Sequence, residues 1–283
     1  MIIDAHHHLW SARHAGWLDA PGLERIRRDY TLADLAPHLA ETGVTAGVLV
    51  EAARCEPTET AEFLSLAAGT PLVAGVVGWV SLTDPDLPAT LARYRRLPGA
   101  AKLVGVRDQV QAVTDPAYLA RPEVRQALSR IGAAGLTYDL VVHVGQLAAC
   151  AEAARATPGT TFVLDHLGKP RIADGPAALA RWRAAVAPLA GCDNVVAKLS
   201  GLLTEAGPTW SADAIRPYVD TAVELFGPDR LMVGSDWPVC ELVASYDQAW
   251  QALRSCLARL SCDERSAVLG GTAIRTYRLE VGS

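Results

Sequence analysis

Residues 137–168, "TYDLVVHVGQLAACAEAARATPGTTFVLDHLG", hold the fold in miniature. "TYDLVVHV" and "TTFVLDHLG" are short runs rich in β-branched and aromatic residues. The intervening "QLAACAEAARATPG" carries apolar residues at helical spacing and ends in a Gly of the kind that closes helices. Strand, helix and strand of this near-continuous hydrophobicity describe a βαβ unit, with parallel strands covered on both faces.

The alternation extends both ways from this unit. "MIIDAH", "AGVLVEA", "LVAGVVGWV" and "AKLVGVRD" precede it, and "NVVAKLSG" and "RLMVGSDW" follow, which makes eight candidate strands. Amphipathic segments such as "TLADLAPHLAET", "PEVRQALSRIGAAG" and "AALARWRAAVAPLAG" lie between them. Eight βα repeats close a barrel of roughly 250 residues. The expectation is therefore an α/β chain folded as one (β/α)₈ TIM barrel, a single domain over residues 1–283. No GxGxxG follows a strand, which argues against an open doubly wound sheet, and no Pro-, Gly- or Ser-rich linker divides the chain.

Two connections are longer than turns: "LWSARHAGWLDAPGLERIRRDY" after strand 1 and "LLTEAGPTWSAD" after strand 7. In a barrel both lie at the C-terminal face, where sites are built. The closing stretch "DERSAVLGGTAIRTYRL" reads as a helix, a Gly-Gly break and a short helical tail.

Composition narrows the function. Half of the 283 residues are apolar, enough for a sizeable core, and the net charge of −5 comes without any long Lys or Arg run. That excludes the electrostatic footprint of a nucleic-acid or anionic-membrane binder. No stretch reaches the roughly 18 apolar residues of a spanning helix, and the start lacks a basic segment leading into an apolar one. Six cysteines without a CxxC pair read as mostly buried thiols of a reducing compartment. These features predict a soluble cytoplasmic protein, with homo-oligomerisation left open.

Fully buried strands should end in apolar residues, yet these end in groups that titrate or bind metal. Strand 1 ends in His6 and His8, strand 4 in Arg107 and Asp108, strand 5 in His143, strand 6 in Asp165 and His166, and strand 8 in Asp236; strand 7 contains Lys198. Side chains alternate along a strand, so His6 and His8 share a face and His7 points away. Joined by a third histidine and an Asp from other strand ends, the pair forms a set able to hold one divalent ion, with a position open for water. Without metal, Asp236 serves as general base and the histidines, His166 included, polarise a carbonyl. The register of "TYDLVVHV" leaves His143 facing either the site or the helices. Lys198 is either salt-bridged inside the barrel or directed at an anionic substrate, and Arg107 either binds a substrate carboxylate or pairs with Asp108 or Glu51. Trp10, Trp17, Trp210 and Trp237 fall in segments around the mouth, Trp237 beneath the site.

The strings "IDAHHHLW", "LVGVRDQVQ", "FVLDHLGKP", "VVAKLSGL" and "FGPDRLMVGSDWPV", in this order, resemble the sugar-lactonase branch of the amidohydrolase superfamily from about residue 2 to residue 250. The resemblance implies a barrel hydrolase that opens a small lactone, an aldonolactone first, working with or without one divalent metal. It assigns His6 and His8 to the first-strand pair, His166 to the sixth-strand histidine and Asp236 to the acid that handles the water proton. No Lys ends strand 4, which argues against a two-metal centre. Two positions depart from the pattern: Asp108 stands where relatives often carry His, and His143 where they often carry Arg, restoring the fifth-strand ligand of mononuclear members; the resemblance then implies a Zn²⁺ held by His6, His8, His143 and Asp236. The alternative within the wider superfamily is a metal-dependent decarboxylase of a small unsaturated or aromatic acid.

Overall fold

The computed structural model describes residues 1–280. Eight strands form one sheet in sequential order, every neighbouring pair parallel: β1 Ile3–His7, β2 Ala46–Val50, β3 Val73–Trp79, β4 Leu103–Asp108, β5 Thr137–Leu140, β6 Phe162–Leu164, β7 Val195–Leu199 and β8 Leu231–Val233. The rim closes through backbone bonds past the end of β8: Asp236 N donates to His6 O at 2.9 Å and His8 N to Trp237 O at 2.7 Å. A (β/α)₈ barrel results, as the repeat count requires.

Its helices start and stop on local chemistry. Pro57, Pro122 and Pro176 occupy first-turn positions, where the missing N–H leaves no helical bond unmade, and Gly43 closes helix Leu32–Thr42 at φ 72°. Leu140, Phe162, Leu164, Leu199 and Val233 pack against the helices, whereas Val48, Val50, Val77, Val163 and Val196 line the barrel with Tyr277 and Leu279 of the C-terminal segment. The barrel floor is thus sealed by Tyr277 and Leu279.

Three local departures follow from packing. The Gly-Gly pair does not break the last helix: Ala267–Gly271 is a π turn between helices Cys262–Ser266 and Thr272–Tyr277, and Gly270 lies so close to the chain start that a Cβ would sit 2.5 Å from Met1 O. Strands β5, β6 and β8 are shorter than their apolar runs, because the chain turns into loops at the rim once it clears the sheet. Pairing of β1 with β2 slips between Asp4 and His7. That irregularity interrupts strict alternation, so Ala5 joins the apolar barrel interior while the next residue, His6, meets the polar groups above it.

The connection after β1 contains three short 3₁₀ turns, and that after β7 the short helix Leu202–Ala206. No helix among the described residues is long and apolar enough to cross a membrane.

Candidate active site

Four side chains converge where β1, β6 and β8 end. His6 and His8 project from one side of β1 with their Nε2 atoms 3.1 Å apart, while both ring nitrogens of buried His7 lack partners among the described residues. His166 follows β6 and Asp236 follows β8, and both hold left-handed backbone, at φ 52° and 58°. Non-glycine residues adopt that region at an energetic cost when surrounding structure imposes it, often at functional sites. Glycine meets a harder limit at Gly201: at φ 66°, a Cβ there would lie 2.7 Å from His166 Nδ1 and 3.2 Å from Asp236 Oδ2.

Asp236 Oδ1 sits 3.8 Å from His6 Nε2, 3.7 Å from His8 Nε2 and 3.8 Å from His166 Nε2. These separations are too long for hydrogen bonds, and this buried oxygen has no hydrogen-bond partner among the described residues. They are close to the spacing of about 3.4 Å between ligands that surround a tetrahedral Zn²⁺ at about 2.1 Å. One nitrogen or oxygen from each of His6, His166 and Asp236 lies within 4.8 Å of the others. The donor set therefore fits a single divalent cation.

Hydrogen bonds orient these rings. His8 Nδ1 lies 2.9 Å from Val50 O, a pure acceptor, so the proton is on Nδ1 and the Nε2 lone pair faces the cluster. His166 Nδ1 meets Ser200 Oγ at 2.9 Å. His6 Nδ1 stands 3.2 Å from Asp165 Oδ1, an acceptor, and 3.2 Å from Lys198 Nζ, a donor. Either tautomer of His6 is thereby supported, one freeing Nε2 for a cation and the other letting Nε2–H donate to His8.

Burial, then the Lys198 charge, pushes the His6 imidazole well below its ordinary range, and burial takes His166 down to about 4. Both rings are neutral at pH 7, the state that binds metal or polarises a carbonyl. Burial acts to raise the Asp236 carboxyl, but the surrounding imidazoles outweigh it and hold the group well below the usual carboxylate range. Asp236 is therefore a carboxylate at neutral pH.

Beneath lies a second polar group. Lys198, fully buried, donates to Asp139 Oδ2 at 2.7 Å and pairs with Asp165 Oδ1 at 2.9 Å; Tyr277 Oη donates to Asp139 Oδ2 at 2.6 Å. Arg107 donates from Nε to Glu51 Oε1 at 2.6 Å, from Nη1 to Asp165 Oδ2 at 2.8 Å and from Nη2 to Glu51 O at 2.8 Å. Of the two roles open to each cation in the sequence, the structure displays internal pairing, although Arg107 also borders the cavity.

The cavity above the cluster has a volume of about 180 Å³ and is bordered by His8, His166 and Asp236. Trp10 and Trp17 line it, whereas Trp210 spends its N–H on Val243 O and Trp237 is buried, donating to Glu241 Oε1 and packing on Tyr30. His143 is not brought to the cluster, which corrects its place in the ligand set. β5 ends at Leu140, so His143 emerges exposed and heads the turn Val144–Gln146, and Val141 borders the cavity instead. His166 takes the third imidazole position.

The structure adds Gln109, Gln111, Lys169, Thr204 and Glu205 to the lining. Thr204 and Glu205 lie in the long connection after strand 7, whose length was their only signal. Lys169 stands beside His166 in "DHLGKP", yet a lone Lys in a loop reads as a surface residue.

A family model described as an amidohydrolase matches residues 3–279. The chain is 39% identical to an L-fucono-1,5-lactonase of Burkholderia multivorans and 38% identical to that of Burkholderia ambifaria, over 98% of this chain and 96% of each relative. It superposes on the crystal structure of a zinc-bound amidohydrolase from Burkholderia multivorans with a TM-score of 0.93, at 38% identity over 99% of this chain and 100% of that one.

Proposed function

This chain belongs to the amidohydrolase family, and on that premise we propose that it is a hydrolase opening the ring ester of a small lactone, an aldonolactone foremost. The observation carrying the reading is the buried, ionised and unpartnered Asp236 Oδ1 at the floor of the cavity, equidistant within 0.1 Å from three imidazoles, in a chain aligned end to end with lactonases.

Asp236 accepts a proton from water as that water attacks the ring carbonyl. His6 and His166, in the tautomers that carry the proton on Nε2, donate to the negative charge that gathers on the carbonyl oxygen, often the largest single contribution to such catalysis. Protonated Asp236 then returns its proton to the ring oxygen as the C–O bond breaks, giving a hydroxy acid and leaving the carboxylate as it began. Atoms and charge balance without a further reactant. His6, His8, His166 and Asp236 are the residues that would hold a divalent cation, and such an ion supplies Lewis-acid polarisation and a more acidic water.

A pH-indicator screen of aldonolactones, run with metal analysis of the untagged protein, tests this reading. Acid release on lactone addition is expected. Carbon dioxide release from unsaturated or aromatic acids, with every lactone inert, would replace it by decarboxylation.

A further inference from the structure

Polar groups lining the cavity divide into those already committed and those left free. Trp10 Nε1 donates to Arg28 O at 2.9 Å and Trp17 Nε1 to Ala52 O at 2.8 Å, so the two indoles offer the cavity only ring surface. Gln109 Nε2 donates to Glu51 Oε1, Gln111 Nε2 to Gln109 Oε1 and Lys169 Nζ to Gln111 Oε1, a chain that fixes both amides. Arg107 is tied to Glu51 and Asp165.

What remains lies largely on one turn. The Glu205 carboxylate makes no hydrogen bond or ion pair among the described residues, and Thr204 borders the same cavity, its Oγ1 packed beneath the surface without a hydrogen-bond partner among those residues. Two of the three Lys169 ammonium protons are also uncommitted. Lys169 and Glu205 sense each other's charge without forming an ion pair, and both border the same space.

We propose that Glu205, with Thr204 and Lys169, reads the ring hydroxyls of the substrate and makes this site select polyhydroxylated lactones over unsubstituted ones. The inference rests on the lactone reading above and names the residues that set its preference for hydroxylated rings. A hydroxyl is the group that suits this trio, because it donates to a carboxylate and accepts from an ammonium at once, whereas a charged ligand group would be repelled by one of them. Burial pushes Glu205 up to about 6, so above that pH it is ionised and acts only as an acceptor. A ring without hydroxyls would strip water from these groups and return nothing, the asymmetry by which polar sites reject analogues lacking a partner. The tryptophans supply apolar surface for the C–H face of the same ring.

The test compares an aldono-1,5-lactone with the unsubstituted six-membered lactone, reading KM and kcat separately for the parent, Glu205→Gln and Glu205→Ala. Glu205→Ala is expected to raise KM for the hydroxylated ring by about 10- to 100-fold with a smaller change in kcat, so that preference over the plain ring falls at least tenfold; Glu205→Gln should show a lesser shift of the same sign. Should circular dichroism show the Ala variant unfolded, Thr204→Val carries the test with an expected loss of preference of several-fold. An unchanged preference, including a parallel loss of kcat on both rings, overturns the inference. A parent that opens both rings equally well does so too, while leaving the lactonase reading intact; a parent that opens neither removes both.

Discussion

Two buried polar groups lie one above the other in this barrel, and they differ in satisfaction rather than in burial. In the lower one, every cation has its anion: Lys198 sits between Asp139 and Asp165, and Arg107 between Asp165 and Glu51, at 2.6–2.9 Å. In the upper one, Asp236 Oδ1 faces three imidazoles at 3.7–3.8 Å and bonds to none. Charges taken out of water are tolerated when paired, and a site must leave some valence open for what it binds. The lower group therefore holds the upper one in place, through Asp165 and Lys198 at His6 Nδ1, and the upper one keeps its valence open.

The largest effect should come from the upper group. Asp236→Asn is expected to lower lactone turnover by roughly 10³-fold or more while stability stays within about 1 kcal/mol of the parent. Steady-state rates and urea melts check both halves, and a large loss of stability would break the contrast. Lys198→Met should do the reverse kind of damage. It leaves Asp139 and Asp165 buried without their shared counter-charge, for a loss of roughly 3–5 kcal/mol in the same melts.

Acid sharpens the comparison further. His166 titrates near 4 in the folded chain against an ordinary 6.5, so between these values the unfolded chain binds a proton that the folded one refuses. Stability in chelator-treated protein should then fall as pH drops from about 6.5 to about 4, by up to about 3 kcal/mol from this residue, and His166→Gln should remove that share. Melts across the range decide it. Glu59 is the smallest case, a buried carboxyl with Oε2 unpartnered, pushed up to about 8 by burial and then by the Glu51 charge. Its folded value exceeds the unfolded one, so it weakens the fold progressively as pH rises from about 4.5 to about 8. Glu59→Gln should stabilise by about 1–3 kcal/mol at pH 7 and by little below pH 4.5, read as thermal midpoints at the two pH values.

Much of this was legible in the chain. Near-continuous apolar runs separated by segments of helical spacing marked the eight strands, because burial on both faces demands such hydrophobicity. Polar residues interrupting those runs at their ends marked His6, His8, His166 and Asp236. His143 was misleading for a reason of geometry: an apolar run does not reveal where the chain leaves the sheet, and three residues past Leu140 suffice to expose the ring. Glu205 and Lys169 were hidden because isolated charged residues in loops are usually solvated.

The sequence alone determined the barrel, its closing count of eight and the residue types available at its rim, since these depend on local periodicity and on alternation along single strands. Only the tertiary structure decided which of the polar side chains are paired and which are left open. Pairing is set by distances between residues such as Lys198 and Asp139, 59 positions apart, and Asp236 and His6, 230 positions apart. No local pattern encodes those distances.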